Sequence, residues 1–282
     1  MRLIIFLAVL GICIASLAVY MRRTPVGSLS GPTLLQSDAI VSSPTPEPQV
    51  PFVHYEPPEL PVKKAYRIIL LGDSMTAALG PYADELRLVV KKKYPDVDLI
   101  IENQSAPSSN VESLQDRLLT KATEANATYE PVLGKPFDII VIESFGYNPL
   151  SHLGRTEGID KANESLFTTM RLLNREQPSA LVVFLATIAP SHTMYGVGAV
   201  ELDLAARESW ASERDQYIEN HIAFAKEHNI PLVDIYNQTK DKTGSGVLKY
   251  INPTDHIHPS QLGVNFIQDK LAQYFIDAKL FE

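Results

Sequence analysis

Arg67-Ile-Ile-Leu-Leu71, followed at once by Gly72-Asp73-Ser74-Met75-Thr76, is the stretch on which the fold turns. A short apolar run closed by glycine reads as a strand buried on both faces, as in a parallel sheet. The pattern then alternates. Helical spacing over 84–93 is followed by a strand at 97–101. A helix over 111–125 precedes a strand at 137–142, and a helix over 159–175 precedes a strand at 180–186. A long helix over 207–227, a strand at 231–235 and a closing helix over 261–279 complete the series. Strands of this length alternating with helices imply right-handed crossovers and a parallel sheet covered on both faces. The expected class is α/β: one domain spanning 65–282, without internal repeats.

Two segments of different character precede it. Leu3 to Tyr20 carries no charge over eighteen residues and is flanked by Arg2, Arg22 and Arg23. As a helix it would be ~27 Å long, enough to cross a hydrocarbon core. Residues 1–23 are therefore expected to anchor the protein in a membrane. A cleaved signal peptide is the competing reading, because Ser16 and Ala18 form a small-x-small pair. The flanking arginines barely fix orientation. A cytoplasmic N-terminus with an exported body is expected from the segment beyond Arg23. Residues 24–64 hold nearly half of the 20 prolines, so an extended stalk without a core is expected. Phe52, Tyr55 and Leu60, near its end, could instead pack onto the domain.

Composition narrows the chemistry. A formal net charge of −8 argues against a nucleic-acid partner, which clustered Lys and Arg would bind. Lys91-Lys92-Lys93 reads as a solvated helix end. Cys13 is the only cysteine, so there is no disulfide framework and no thiolate zinc site. The histidines are scattered without paired-ligand spacing, and no metal or other cofactor is expected.

In a parallel α/β sheet, functional residues lie in loops beyond the carboxyl ends of the strands. Ser74 follows the first strand. Asn103, Ser105 and Ser108 follow the second, and Asn148 lies in the loop after the third. Asp255-His256-Ile257-His258-Pro259 precedes the last helix. These parts suit acyl transfer through serine. The alcohol needs a neutral imidazole to take its proton, and that imidazole needs a carboxylate to hold its tautomer. The developing oxyanion needs preorganised N–H donors. Asp255 and His258 are close enough in sequence to act from a single loop. Asp73 reads as a brace for the nucleophile loop. His256 reads as a loop residue, His192 and Tyr195 as surface loop, His221 and His228 as structural, and Trp210 as a core contact.

On these residues the chain resembles the SGNH (GDSL-type) hydrolase superfamily over about 67–281. Gly72-Asp73-Ser74 resembles its first block, Gly146-Tyr147-Asn148 its third, and Asp255 to Pro259 its last. The resemblance implies a three-layer α/β/α sandwich around a five-stranded, flavodoxin-like parallel sheet. It implies Ser74 as nucleophile, His258 as base and Asp255 as its partner. The N–H groups of Ser74 and Ser108 and the Asn148 amide would form the oxyanion hole. Two positions depart from the pattern. Serines stand at 105 and 108, where the family's second block has glycines, and Pro149 stands where the third block has Asp. Ser108 can serve as a donor if its φ is negative; a positive φ would be strained.

The function expected is an exported, membrane-anchored serine esterase acting on small acyl esters or on O-acetyl groups of cell-envelope glycans. An O-acyltransferase on the same fold, or a catalytically silent cell-surface binding module, are the alternatives.

Overall fold

The computed structural model describes residues 54–124 and 127–282. Residues 1–53, which include the expected anchor and most of the expected stalk, lie outside the described residues. No helix among the described residues is long and apolar enough to cross a membrane.

Five parallel strands form the sheet: β1 (Ala65–Leu71), β2 (Asp98–Asn103), β5 (Ile139–Glu143), β6 (Leu181–Ala186) and β7 (Leu232–Asp234). Their spatial order is β2-β1-β5-β6-β7. Ile69 of β1 pairs with Glu102 of β2 on one side and Ile140 of β5 on the other. Successive side chains of a strand point to opposite faces. Ile68 and Leu70 therefore enter one core, with Leu86 and Val90 of α2 (Asp84–Lys93) and Leu271 and Phe275 of α6 (Gln261–Asp277). Ile69 and Leu71 enter the other, with Leu114 of α3 (Ser113–Leu119) and Met170 of α4 (Arg155–Glu176). Helix α5 (Leu204–Glu227) adds Tyr217 and Phe224 to that second core. This is the three-layer α/β/α sandwich. The basic run Lys91–Lys93 occupies the last turn of α2, opposite Asp84 and Glu85 in its first turn, as the helix dipole favours.

Two features differ from expectation. The helix expected over 111–125 ends at Leu119. The chain turns extended at Thr120 and forms an antiparallel pair, β3 (Ala122–Glu124) with β4 (Ala127–Tyr129). Thr120, Thr123 and Thr128 are β-branched and favour strand over helix.

The other concerns the domain boundary, which does not fall at Ala65. Tyr55 is buried in the second core together with Phe184 of β6. Its hydroxyl accepts from Val182 N (2.8 Å) and donates to Ala180 O (3.3 Å). Strand β7 reaches β6 only from Phe184 onward, so the tyrosine hydroxyl stands in for the strand partner that β7 is too short to supply. His228 O and the Asn229 side chain hold the Tyr55 backbone at 2.7 and 3.0 Å. Burial pushes the Tyr55 hydroxyl up to about 12. A proline-rich segment gives no periodicity, so the sequence offers the packing of Tyr55 only as an alternative, and its acceptor and donor on β6 settle it.

Candidate active site

The site lies at the carboxyl edge of the sheet. Ser74 opens a single-turn helix, α1 (Ser74–Ala77), capped by Asp73, whose Oδ1 accepts from Met75 N at 2.8 Å. Gly72 is required here. A Cβ on it would stand 2.5 Å from Thr76 Oγ1 and 2.8 Å from Glu143 Cβ, because the ends of β1 and β5 pass so closely.

His258 and Asp255 come from the loop before α6. Asp255 Oδ1 accepts from the N–H groups of Ile257 (2.8 Å) and His258 (3.0 Å). Its Oδ2 faces His258 Nδ1 at 2.9 Å, and His258 Nε2 lies 3.0 Å from Ser74 Oγ. That network assigns the proton to Nδ1 and leaves Nε2 as acceptor for the serine hydroxyl. Burial pulls the Asp255 carboxyl upward, but the imidazole and the two N–H groups outweigh it and hold it below its ordinary value. The loop is braced from outside. His256 Nδ1 donates to Val197 O at 2.9 Å. Gly198, with φ +92°, lets the 191–202 loop close in; a Cβ there would sit 2.1 Å from Thr254 O.

Three N–H donors at this edge have no acceptor of their own. Among the described residues, the backbone N–H groups of Ser74 and Ser108 make no hydrogen bond. Asn148 commits one side-chain N–H to Asp73 Oδ2 at 2.8 Å and keeps the other. Ser108 has φ +64°, not the negative value that would make it an unstrained donor. It is the third residue of a turn closed by Ser109 N on Ala106 O (3.2 Å) and tied to the nucleophile loop by Ala106 N on Gly72 O (3.0 Å). Such a turn favours glycine at that place, and a serine there costs on the order of 1–3 kcal/mol. Phe145 (φ +53°) and His256 (φ +51°) share the left-handed conformation. Strain thus gathers in three loops of one sheet edge, where pre-set geometry is useful.

Behind Ser74 lies a residue that sequence reasoning passed over. Glu143, the last residue of β5, is wholly buried beside wholly buried Asp73. Its Oε1 accepts from Ser144 Oγ at 2.6 Å and its Oε2 from Asp73 N at 3.4 Å. Burial, then the charge of Asp73, pushes the Glu143 carboxyl well above its ordinary value. Burial also raises Asp73, but Met75 N–H, the Asn148 amide, Glu143 and His258 oppose that. Of the two neighbouring carboxyls, Glu143 is pushed up the further. A carboxylate ending an otherwise apolar strand was the available signal.

The other histidines and aromatics are engaged away from the triad. His192 is paired with Asp215 at 2.6 Å, and Tyr195 is buried with its hydroxyl accepting from Arg214 Nε at 2.9 Å; neither is plain surface loop. Trp210 is 41% exposed with the Arg214 guanidinium 5.0 Å over its ring, so it is not a core residue. His221 stacks on Phe184 at 4.2 Å, and burial pushes it down to about 3. Asn103 serves no oxyanion: its amide donates to Thr76 O (2.8 Å) and Gly80 O (2.9 Å), tying β2 to the turn after Ser74. Among the described residues, no cluster of three or more His, Cys, Asp or Glu side chains could hold a metal.

No sequence family and no curated protein matches the chain. Solved structures do. A GDSL-like lipase from Parabacteroides merdae superposes with a TM-score of 0.57 at 15% identity, over 79% of this chain and 100% of that one. A lipase/acylhydrolase from Enterococcus faecalis gives 0.52 at 21% identity, over 76% and 96%. An acetyl-xylooligosaccharide esterase from Geobacillus gives 0.53 at 16% identity, over 77% and 95%. The five-stranded parallel sheet, its helical layers and these superpositions agree: the chain has the SGNH hydrolase fold of the GDSL-type lipases and acylhydrolases.

Proposed function

We propose that the protein is a serine esterase that cleaves short acyl groups, O-acetyl groups on cell-envelope glycans among them. The observation that carries this reading is the unbroken line from Ser74 Oγ through His258 to Asp255, at 3.0 and 2.9 Å. Similarity in fold to an acetyl-xylooligosaccharide esterase supports the acetyl-glycan part.

In this mechanism Ser74 Oγ attacks the acyl carbonyl while its proton passes to His258 Nε2. Asp255 Oδ2 stabilises the imidazolium through Nδ1–H. The new oxyanion takes the two idle backbone N–H groups and the remaining Asn148 N–H. Collapse breaks the ester C–O bond, and the imidazolium gives its proton to the leaving alkoxide. Water then enters, loses a proton to Nε2, and releases the carboxylic acid from Ser74. His258 is 39% exposed, so water and substrate both reach it. The chemistry uses no cofactor.

We propose also that residues 3–20 hold the protein in a membrane with the folded domain outside the cytoplasm. Support comes from their uncharged length and the proline-rich stretch after them. Membrane fractionation with mass spectrometry of the N-terminus tests this; a mature chain starting at Val19 and found in the medium overturns it. For the chemistry, a fluorophosphonate probe should label Ser74 stoichiometrically. Labelling elsewhere, or none by a folded protein, overturns the esterase reading.

A further inference from the structure

We propose that a cleft at the β2 edge of the sheet binds a neutral saccharide chain. This rests on the glycan part of the preceding reading and assigns it a second binding site. The cleft arises from the layering. Leu99 and Ile101 of β2 are buried under the helices of one face, while Asp98 and Ile100 on the other face are exposed, Ile100 at 53%. Helices α3 and α4 leave Ile100 uncovered on that face. What remains is a cleft of about 420 Å³ between β2, the turn at Pro81 and Tyr82, and the 128–135 segment. That volume lies within the usual range for small-molecule sites.

Its floor is polar and preorganised. Arg67 grips Glu102 with two bonds, Nε to Oε1 (2.8 Å) and Nη2 to Oε2 (2.9 Å), and its Nη1 donates to Pro136 O at 3.1 Å. The guanidinium holds the Glu102 carboxyl below its ordinary value, so it remains an acceptor. Beside it, Gln104 Oε1 is buried with no hydrogen-bond partner among the described residues. A buried acceptor left idle costs free energy until a donor reaches it. The Glu102 carboxylate suits a hydroxyl donor, and Gln104, whose side chain lines the cleft, would meet a second by turning its idle acceptor outward.

The walls are aromatic. Tyr82 is 57% exposed. The Tyr129 ring is backed by the Arg117 guanidinium at 4.6 Å, and its hydroxyl reaches Ser105 O at 3.5 Å. A tyrosine presents an apolar face and a polar tip, which matches the C–H faces and hydroxyl rim of a pyranose. Charge in the lining balances: Arg67 and Lys135 stand against Glu102 and Glu130. Glu130 is itself paired with Lys121 at 2.6 Å. A polyanion finds no excess of positive charge here, and a purely apolar ligand would strip water from the Arg67–Glu102 pair without replacing its hydrogen bonds. The cleft is also wired to the chemistry. Asn103, in its lining, holds the turn after Ser74, and Tyr129 touches the loop that carries Ser108.

The test uses full-length Ser74→Ala protein, which binds without turnover, and three probes: xylohexaose, chitohexaose acetylated on nitrogen, and a heparin hexasaccharide. Saturation-transfer NMR should detect at least one neutral probe and not the heparin fragment. Tyr82→Ala and Gln104→Ala should each weaken that binding by about tenfold, the effect of losing a well-packed contact. Tyr82 is exposed, so its substitution tests binding without threatening the fold. In protein with Ser74 intact, Tyr82→Ala should raise KM for the O-acetylated oligosaccharide more than it lowers kcat. No binding of either neutral probe, undiminished binding by both variants, or preference for heparin overturns the proposal. Hydrolysis of 4-nitrophenyl acetate by unsubstituted protein reports the esterase reading separately: activity there with no saccharide binding sinks the cleft alone.

Discussion

The Asn148 side-chain amide donates to Asp73 Oδ2 over 2.8 Å, so the residue before Ser74, the proposed nucleophile, fixes the side chain proposed to face the oxyanion. Asp73 touches no reacting atom; it is a positioning residue. Asn148→Ala should lower kcat by ~10²–10³ with little change in KM, the usual loss for one oxyanion donor. Asp73→Asn keeps the shape but can accept only one of its two present bonds well, and should lower kcat less. Steady-state kinetics on an aryl acetate decide; a loss confined to KM contradicts the assignment.

Removal of the nucleophile and of the base should cost nearly the same. Ser74→Ala and His258→Ala should each abolish most turnover, and the double variant should be scarcely worse, because the two act as a unit. Full activity in purified Ser74→Ala would place the chemistry elsewhere.

Glu143 gives a pH-dependent stability with a defined sign. Burial and the charge of Asp73 hold its carboxyl well above its ordinary value in the fold, whereas the unfolded chain ionises at that ordinary value. Above that value the unfolded state binds fewer protons, so stability falls as pH rises toward the folded value. Glu143→Gln mimics the protonated form and removes this dependence. Its melting temperature relative to wild type should therefore increase as pH rises above the ordinary glutamate value of about 4.3; an unchanged difference means the Glu143 carboxyl is not raised in the fold.

His221 acts in the opposite direction. It stays neutral in the fold down to about 3, against 6.5 for the ordinary value. Between those values the unfolded chain binds the extra proton, so stability drops on acidification. In His221→Phe, which can keep the stack on Phe184, chemical denaturation should show a flatter pH dependence across that window. An unaltered slope assigns the acid lability to other groups.

Tyr55→Phe removes one hydroxyl and leaves the buried Val182 N–H without an acceptor. The expected cost is about 1–3 kcal/mol in urea unfolding. A chain beginning at Ala65 loses the whole side chain and should be destabilised further, by ~3–5 kcal/mol if it behaves like a buried aromatic-to-alanine change. Equal stability of the two chains would show that the tyrosine is an ornament of the fold.

Much of this was legible because the sheet is buried on both faces. The runs at 68–71, 139–142 and 181–186 have no polar residue to confuse the period, and the residues after them necessarily gather at one edge. The proximity of Ser74 to Asp255 and His258 follows from that topology alone. What escaped depends on partners distant in sequence. Glu143 looks like the start of a loop until Asp73 is placed beside it. Tyr55 is one of several residues before Ala65 that could pack onto the domain, until the gap beside the short β7 singles it out. The left-handed φ of Ser108 is a property of a turn whose type its residues do not announce.

The seat of Tyr55 also decides where a pull on the N-terminal chain enters the domain. It clasps Ala180 and Val182, where β6 begins, whereas Ser74, Asn148 and His258 stand where the strands end. A strand of this length separates the two edges by roughly 17–20 Å. A pull arriving along the chain before Tyr55 would therefore meet the floor of the domain, at the edge opposite Ser74 and His258. Were the N-terminal segment the membrane anchor proposed above, its load would fall first on an inner strand and not on the loops that carry those two residues.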